Sequence, residues 1–104
     1  MPRTIRVTRK TALQRLSEVP AEKVFWCHNG MVFRNLWQLR AGLETMSDDA
    51  FRYHSNWEKT DFANWVRDVI GDERLAGHLA TSETRMEAAR NVGERLAFYE
   101  GKLT

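Results

Sequence analysis

The sequence has few residues of the kinds that cross-link a chain, interrupt it or insert it into a membrane. Among its 104 residues there are one cysteine, two prolines and six glycines. Because Cys27 has no second cysteine to pair with inside the chain, we expect a reducing, cytoplasmic location. The longest unbroken apolar runs have four residues, as at 24–27, whereas a membrane helix needs about 20. The first residues also lack the apolar segment of a secretory signal. We therefore expect no membrane span.

The remaining composition is typical of one small domain. Hydrophobic residues make up 42% of the chain and charged residues 29%. A chain of this length buries roughly 60–70% of its unfolded surface, which is enough for one core. A free energy of unfolding of about 5–10 kcal/mol then needs no metal ion or disulfide. The length excludes a second domain of ordinary size.

Positive charge is concentrated at the N-terminus. Residues 1–15 contain five basic and no acidic residues, whereas the rest of the chain contains 11 basic and 14 acidic residues. We predict a basic arm and the start of the first helix over 1–15, followed by a single compact helical domain with a hairpin over 16–104. Such an arm either contacts phosphate, anionic lipid or an acidic partner surface, or is merely solvated. The candidate anion-contact residues are Arg3, Arg6, Arg9, Lys10 and Arg15.

The clearest local signal is the pair Asn29-Gly30 between two short segments rich in aromatic and β-branched residues. Asn-Gly favours a type I′ turn because both central positions of that turn need positive φ. The pattern predicts a β-hairpin at about 23–33. An isolated hairpin is marginally stable in water, so its aromatic face is expected to pack on helices.

The rest of the sequence has apolar residues at helical spacings of three and four, separated by capping residues. Asn35, Ser47, Thr60 and Asp72 each precede such a stretch. The sequence therefore predicts an α+β fold, mainly α, in which the hairpin packs on four to five mostly short helices.

The order of these elements resembles a family of small uncharacterised prokaryotic domains of unknown function. The resemblance rests on an aromatic hairpin, a Leu-rich helix ending near Met-Ser-Asp, and Phe-x-x-His, Asp-Phe-x-x-Trp and Gly-Asp-x-x-Leu-Ala elements. These are Phe25 to Gly30, Leu36 to Met46, Phe51/His54, Asp61/Phe62/Trp65 and Gly71/Asp72/Leu75/Ala76. Thr60 departs from the Asn that often stands there in the family, but threonine also caps helices. The resemblance implies a fold and no activity.

His54 and Asp61 are the weak candidates for chemistry. His54 lies on the same predicted helical face as Phe51, and Asp61 begins the next helix, so the two side chains are able to meet. A His–Asp pair acts as an acid–base unit in some enzymes or orients a ligand. More commonly such a pair is structural and ties a loop to a helix terminus. No Gly-x-Ser-x-Gly motif supplies a nucleophile.

Neither metal nor cofactor is expected. Cys27 and His28 are adjacent in a predicted strand, so their side chains point to opposite faces. His54 and His78 do not have the spacing of a metal-binding pair. The six glycines are isolated rather than grouped in a phosphate-binding loop.

Four tryptophans are the remaining unusual feature. Trp37 is next to a core leucine and Trp57 lies in a predicted loop, which makes both candidates for partner contact. We therefore predict first a non-catalytic interaction or regulatory domain that binds a protein partner or self-associates. The alternatives are a nucleic-acid-associated protein that uses the basic arm, and a small enzyme or ligand binder that uses His54 and Asp61.

Overall fold

The computed structural model describes residues 6–104 and confirms the α+β, mainly α, fold class. Its elements are α1 (Arg9–Leu16), β1 (Phe25–Trp26), β2 (Val32–Phe33), α2 (Leu36–Thr45), α3 (Asp48–His54), α4 (Asp61–Trp65), α5 (Glu73–Ala80) and α6 (Arg85–Gly101). A 3-10 turn at Ala21–Lys23 precedes β1, and α4 continues as a π-helical segment, Val66–Ile70. The described residues thus contain six α-helices rather than four to five, because the caps at Ser47 and Asp72 each begin a separate short helix.

Side-chain caps begin most of the helices. The side chains of Thr8, Asn35, Ser47 and Asp72 each accept a hydrogen bond from the backbone N–H three residues ahead, which satisfies one of the free donors at the helix start. Thr60 precedes α4 but makes no such bond. Thr84 caps α6 in the same way as the first four.

The hairpin differs from the prediction in its turn. Phe25 pairs with Phe33, and the N–H of Cys27 donates to the carbonyl of Met31 at 2.9 Å. Three residues therefore form the loop instead of two. Gly30 has a φ of 92°, whereas no residue other than glycine has positive φ among residues 6–104. The type I′ prediction is wrong because Asn29 does not take the left-handed conformation that this turn requires.

The core lies between the hairpin and the last helix. Helix α2 packs along α6, and α1 and α5 also contact α6. Phe33 from β2 and Leu39 from α2 are both fully buried. From α6, Leu96 and Tyr99 are at most 1% exposed. The last helix is thus the element on which α1, α2 and α5 pack.

The N-terminal helix belongs to this core. Ala12 of α1 is fully buried, and α1 contacts both α2 and α6. The predicted boundary between residues 15 and 16 therefore falls inside a packed helix. Residues 9–15 form the start of the first helix, which was predicted to begin within residues 1–15.

Gly42 marks the closest approach of α2 to the hairpin. A Cβ atom at this position would overlap the ring of Phe33. We expect Gly42→Ala to lower the free energy of unfolding by about 1–3 kcal/mol, since overpacking a filled core outweighs alanine's better helix propensity. The change is measured by urea denaturation.

Gly77 in α5 provides the matched control. A Cβ atom there has no neighbour within 4 Å, so Gly77→Ala should raise the free energy of unfolding by about 0.5–1 kcal/mol. Equal stabilisation by both alanines would show that Phe33 does not constrain α2.

Candidate functional site

A buried histidine joins three elements of the fold. His54, at the end of α3, is 5% exposed. Its Nδ1 lies 3.0 Å from Oδ2 of Asp61 at the start of α4. Its Nε2 accepts a hydrogen bond of 2.8 Å from the backbone N–H of His28 in the hairpin loop. We call this set the His54 junction. The contact between His54 and Asp61 is the one that their spacing in the sequence predicted.

The His54 junction leaves no ring nitrogen for chemistry. Because Nε2 accepts from an N–H group, the proton of the neutral ring is on Nδ1, where it is donated to Asp61. The imidazole packs at 5.0 Å from the ring of Phe25 and 5.3 Å from that of Phe62, measured between centroids. Neither of the two main surface depressions among residues 6–104 is lined by His54 or Asp61. This geometry ties the hairpin to α3 and α4.

An exposed aromatic surface lies outside the junction. The imidazole of His28 stacks on the ring of Tyr53 with centroids 3.9 Å apart and planes at 15°. The Lys59 ammonium is 4.3 Å from the centroid of the same tyrosine ring. Trp26, the last residue of β1, lies two positions before His28 in the chain and is 72% exposed.

Trp57 belongs to this surface and is 92% exposed. It lies in the loop between Ser55 and Thr60, which a β-bridge closes. The side chain of Asn56 orders the loop, since its Oδ1 accepts from the N–H groups of Glu58 and Lys59 and its Nδ2 donates to the carbonyl of Arg52. A fixed loop therefore holds an indole in solvent. We use the name aromatic surface for five exposed residues of the hairpin, α3 and this loop, which are Trp26, His28, Tyr53, Trp57 and Lys59. Of these, His28 and Lys59 are in direct contact with the ring of Tyr53.

Of the two tryptophans predicted to contact a partner, only Trp57 lies on this surface. Trp37 is on α2, an element that carries none of the five residues of the aromatic surface, and is 40% exposed. Trp26 was not singled out from the sequence. The alternation of side chains along a strand could have predicted its exposure, because a buried Phe25 requires its neighbour Trp26 to face outward.

A second polar cluster, which the sequence did not reveal, lies beneath α1. Asp72 caps α5 and is fully buried. Its carboxylate accepts two hydrogen bonds from Arg95, of 2.7 and 3.2 Å, and one from the hydroxyl of Tyr99. The Tyr99 oxygen in turn accepts from Arg15 of α1 at 3.0 Å. These four residues form the Asp72 network, which joins α1, α5 and α6.

The protonation states in this network follow from burial and hydrogen bonding. Burial alone would raise the pKa of the Asp72 carboxyl, but the hydrogen bonds from Arg95, Tyr99 and the Leu75 N–H together hold that pKa below its ordinary value of 3.8. Burial and the adjacent carboxylate raise the pKa of Tyr99 above its ordinary value of 10.0. At neutral pH the network therefore contains a carboxylate, a guanidinium and a neutral phenol.

The predicted anion-contact residues have different environments. Nη1 of Arg9 donates to the carbonyl of Leu103 at 2.6 Å, and Arg15 belongs to the Asp72 network. Both therefore have structural partners. Lys10 and Arg6 are exposed, and Arg3 lies outside the described residues.

Arg6 and Arg15 line an open groove that also exposes cations from distant parts of the chain. The groove has a volume of about 1230 Å³ and lies between α1, the π-helical segment, α5 and α6. Its cationic side chains are Arg6, Arg15, Arg67, Arg74, Arg95 and Lys102, and its carboxylates are Asp72, Glu73 and Glu94. We call it the arginine groove.

Two further properties concern the described part of the chain. Among residues 6–104, no three histidine, cysteine, aspartate or glutamate side chains come together as metal ligands. Within the same residues, every helix is too short or too polar to cross a membrane.

Comparisons with known proteins identify no relative of this chain. The predicted resemblance to a family of small prokaryotic domains thus remains a prediction. No family model, curated protein or solved structure matches the chain.

Proposed function

We propose that the chain is a non-catalytic interaction domain that binds a protein partner, either another protein or a second copy of itself, through the aromatic surface. The observation that carries this proposal is the exposure of Trp57, Trp26 and Tyr53, at 92%, 72% and 49%. Large aromatic side chains grouped on a protein surface are typical of contact sites, and tryptophan and tyrosine supply much of the binding energy at such sites.

The backbone beneath these side chains supports the proposal. Tyr53 is adjacent to His54 in α3. The imidazole of His54 accepts its hydrogen bond from the backbone N–H of His28, another residue of the surface. The backbone that carries His28 and Tyr53 is therefore held in place before a partner arrives, so binding loses little backbone entropy there. Lys59 adds one cation at the rim, where it also lies 3.2 Å from the carboxylate of Asp61. We place this interaction in a reducing cytoplasm, as the single cysteine predicts.

Site-specific photo-crosslinking in cells tests the proposal. Trp57 is replaced by p-benzoylphenylalanine, and after irradiation the adduct is purified and identified by mass spectrometry. We expect one discrete protein adduct, and a mass of twice the chain would identify a second copy. The adduct should fall at least fivefold when Trp26→Ser and Tyr53→Ser are added, because both changes remove exposed aromatic contact area.

Met86 at the start of α6 provides the matched control. It is 52% exposed and does not belong to the aromatic surface, so p-benzoylphenylalanine at this position should not give the same adduct. An identical set of adducts from both positions, or an adduct that survives the two serine changes, would contradict the proposal.

A further inference from the structure

We propose that the arginine groove binds the phosphate backbone of a nucleic acid. This site is separate from the aromatic surface and does not depend on it. Its lining includes six cationic side chains and three carboxylates. Asp68 pairs with Arg67 from outside the lining, so the excess is two positive charges. Grouped charges of one sign raise the local concentration of oppositely charged ligands.

The partners of these side chains show which cations are free. Arg67 is paired with its neighbour Asp68 at 3.0 Å, and Arg95 is paired with Asp72 at 2.7 Å. No ion pair within residues 6–104 involves Arg6, Arg74 or Lys102. Three exposed cations on three different segments are therefore available to phosphate.

The floor of the groove holds its arginine in a fixed position. The guanidinium of Arg95 lies 4.7 Å from the centroids of both Phe98 and Tyr99, while its Nε and Nη2 bind Asp72. Its Nη1 is not a donor in any of the side-chain hydrogen bonds among the described residues, and Arg95 lines the groove. The Nη1 group, with its two N–H bonds, is thus left without a hydrogen-bond partner within residues 6–104, in a side chain that is already ordered and lines the groove.

The same contacts favour a phosphate backbone over a nucleobase or an enclosed small molecule. Phe98 is the one phenylalanine, tyrosine or tryptophan that lines the groove, and both Arg95 and the Lys102 ammonium, at 5.2 Å, already lie on its ring. Among the lining residues this leaves the exposed imidazole of His78 as the ring without such a contact. Base stacking needs a free ring face. The groove, at about 1230 Å³, is also larger than the roughly 300–1,000 Å³ of a typical small-molecule site and is open to solvent, which suits part of a polyanion better than an enclosed small molecule.

Binding is measured by fluorescence anisotropy with a labelled 20-base-pair DNA duplex at 25–200 mM salt. We expect a Kd on the order of 1–100 µM at the lowest salt concentration. The triple variant Arg6→Gln, Arg74→Gln, Lys102→Gln should weaken binding at least tenfold and reduce the salt slope by about 2–3, since each phosphate contact contributes roughly 0.9.

A variant with the same net charge is the control. Lys23, Arg34 and Arg90 are exposed and lie outside the groove, so Lys23→Gln, Arg34→Gln, Arg90→Gln should change the Kd less than threefold. Equal losses in the two triple variants would overturn the proposal, because binding would then depend on net charge alone. Undetectable binding at 25 mM salt overturns it as well.

Two further measurements distinguish DNA binding in the groove from binding to a lipid surface and from binding at the aromatic surface. Vesicles of phosphatidylserine and phosphatidylcholine test the lipid surface, and binding to vesicles without binding to DNA would overturn the proposal. The variant Trp26→Ser, Tyr53→Ser should bind DNA like the unmodified chain. We expect this variant to lose its partner adduct and to keep its DNA binding. Because the two measurements report on different sites, either proposal is able to fail without the other.

Discussion

Replacing Asp72 with asparagine is expected to lower the free energy of unfolding by about 3–5 kcal/mol. The change is nearly isosteric, and an asparagine oxygen still caps α5 at the N–H of Leu75. However, the amide nitrogen cannot accept from Arg95 or Tyr99, both of which donate to the carboxylate. The buried guanidinium is then left without its counter-charge, which is the costly part of the change.

The pH dependence of stability identifies the same carboxylate. The pKa of Asp72 is held below its ordinary value of 3.8 in the folded state. The contribution of its carboxylate to the free energy of unfolding is therefore fully present above pH 3.8. The contribution is lost as the pH falls through the lower, folded-state pKa. Urea denaturation between pH 7 and pH 2 should therefore show a smaller loss of stability at acidic pH for Asp72→Asn than for the unmodified chain.

Asp68 provides the control for both measurements. It is paired with Arg67, but its side chain is 65% exposed, so Asp68→Asn should cost at most about 0.5–1 kcal/mol. It should also leave the acid limb of the stability profile unchanged. A loss below about 1 kcal/mol for Asp72→Asn would mean that the Asp72 network does not stabilise the fold.

Removing the imidazole of His54 is expected to cost about 2–4 kcal/mol of unfolding free energy. In His54→Ala the N–H of His28 loses its acceptor, the carboxylate of Asp61 loses a donor, and a cavity opens beside Phe25 and Phe62. The near-ultraviolet circular dichroism of the aromatic surface should also weaken, because the loop that carries His28 is no longer fixed.

His78 provides the comparison for this change. It is exposed on α5 and is not part of the His54 junction, so His78→Ala should alter stability by less than about 0.5 kcal/mol. Equal effects of the two alanines, or an unchanged aromatic spectrum in His54→Ala, would contradict the structural role of His54.

Local sequence patterns predicted the features of this structure that depend on residues close together in the chain. The caps Asn35 and Ser47 form bonds over three residues, and the contact of His54 with Asp61 spans seven. Periodicity and turn residues carry such information directly. The hairpin was predicted for the same reason. Its loop has one more residue than an Asn-Gly turn because, of Asn29 and Gly30, only Gly30 adopts positive φ.

The Asp72 network and the arginine groove could not be predicted in this way. Arg95 is 23 residues and Tyr99 is 27 residues from Asp72, and no repeat or motif links them. An aspartate at a helix start already has a local role as a cap, which conceals its second role. The groove needs the packing of α1 and α5 on α6, so its cations become neighbours only in the folded chain.

The packing of α1, α2 and α5 on α6 has a consequence for synthesis. Its buried residues complete a core to which α1 and α2, made much earlier, also contribute. Until residues 85–101 have left the ribosome, the apolar faces of those first helices have no lasting cover. The emerging polypeptide therefore stays accessible to chaperones until α6 is released, and this core closes only then.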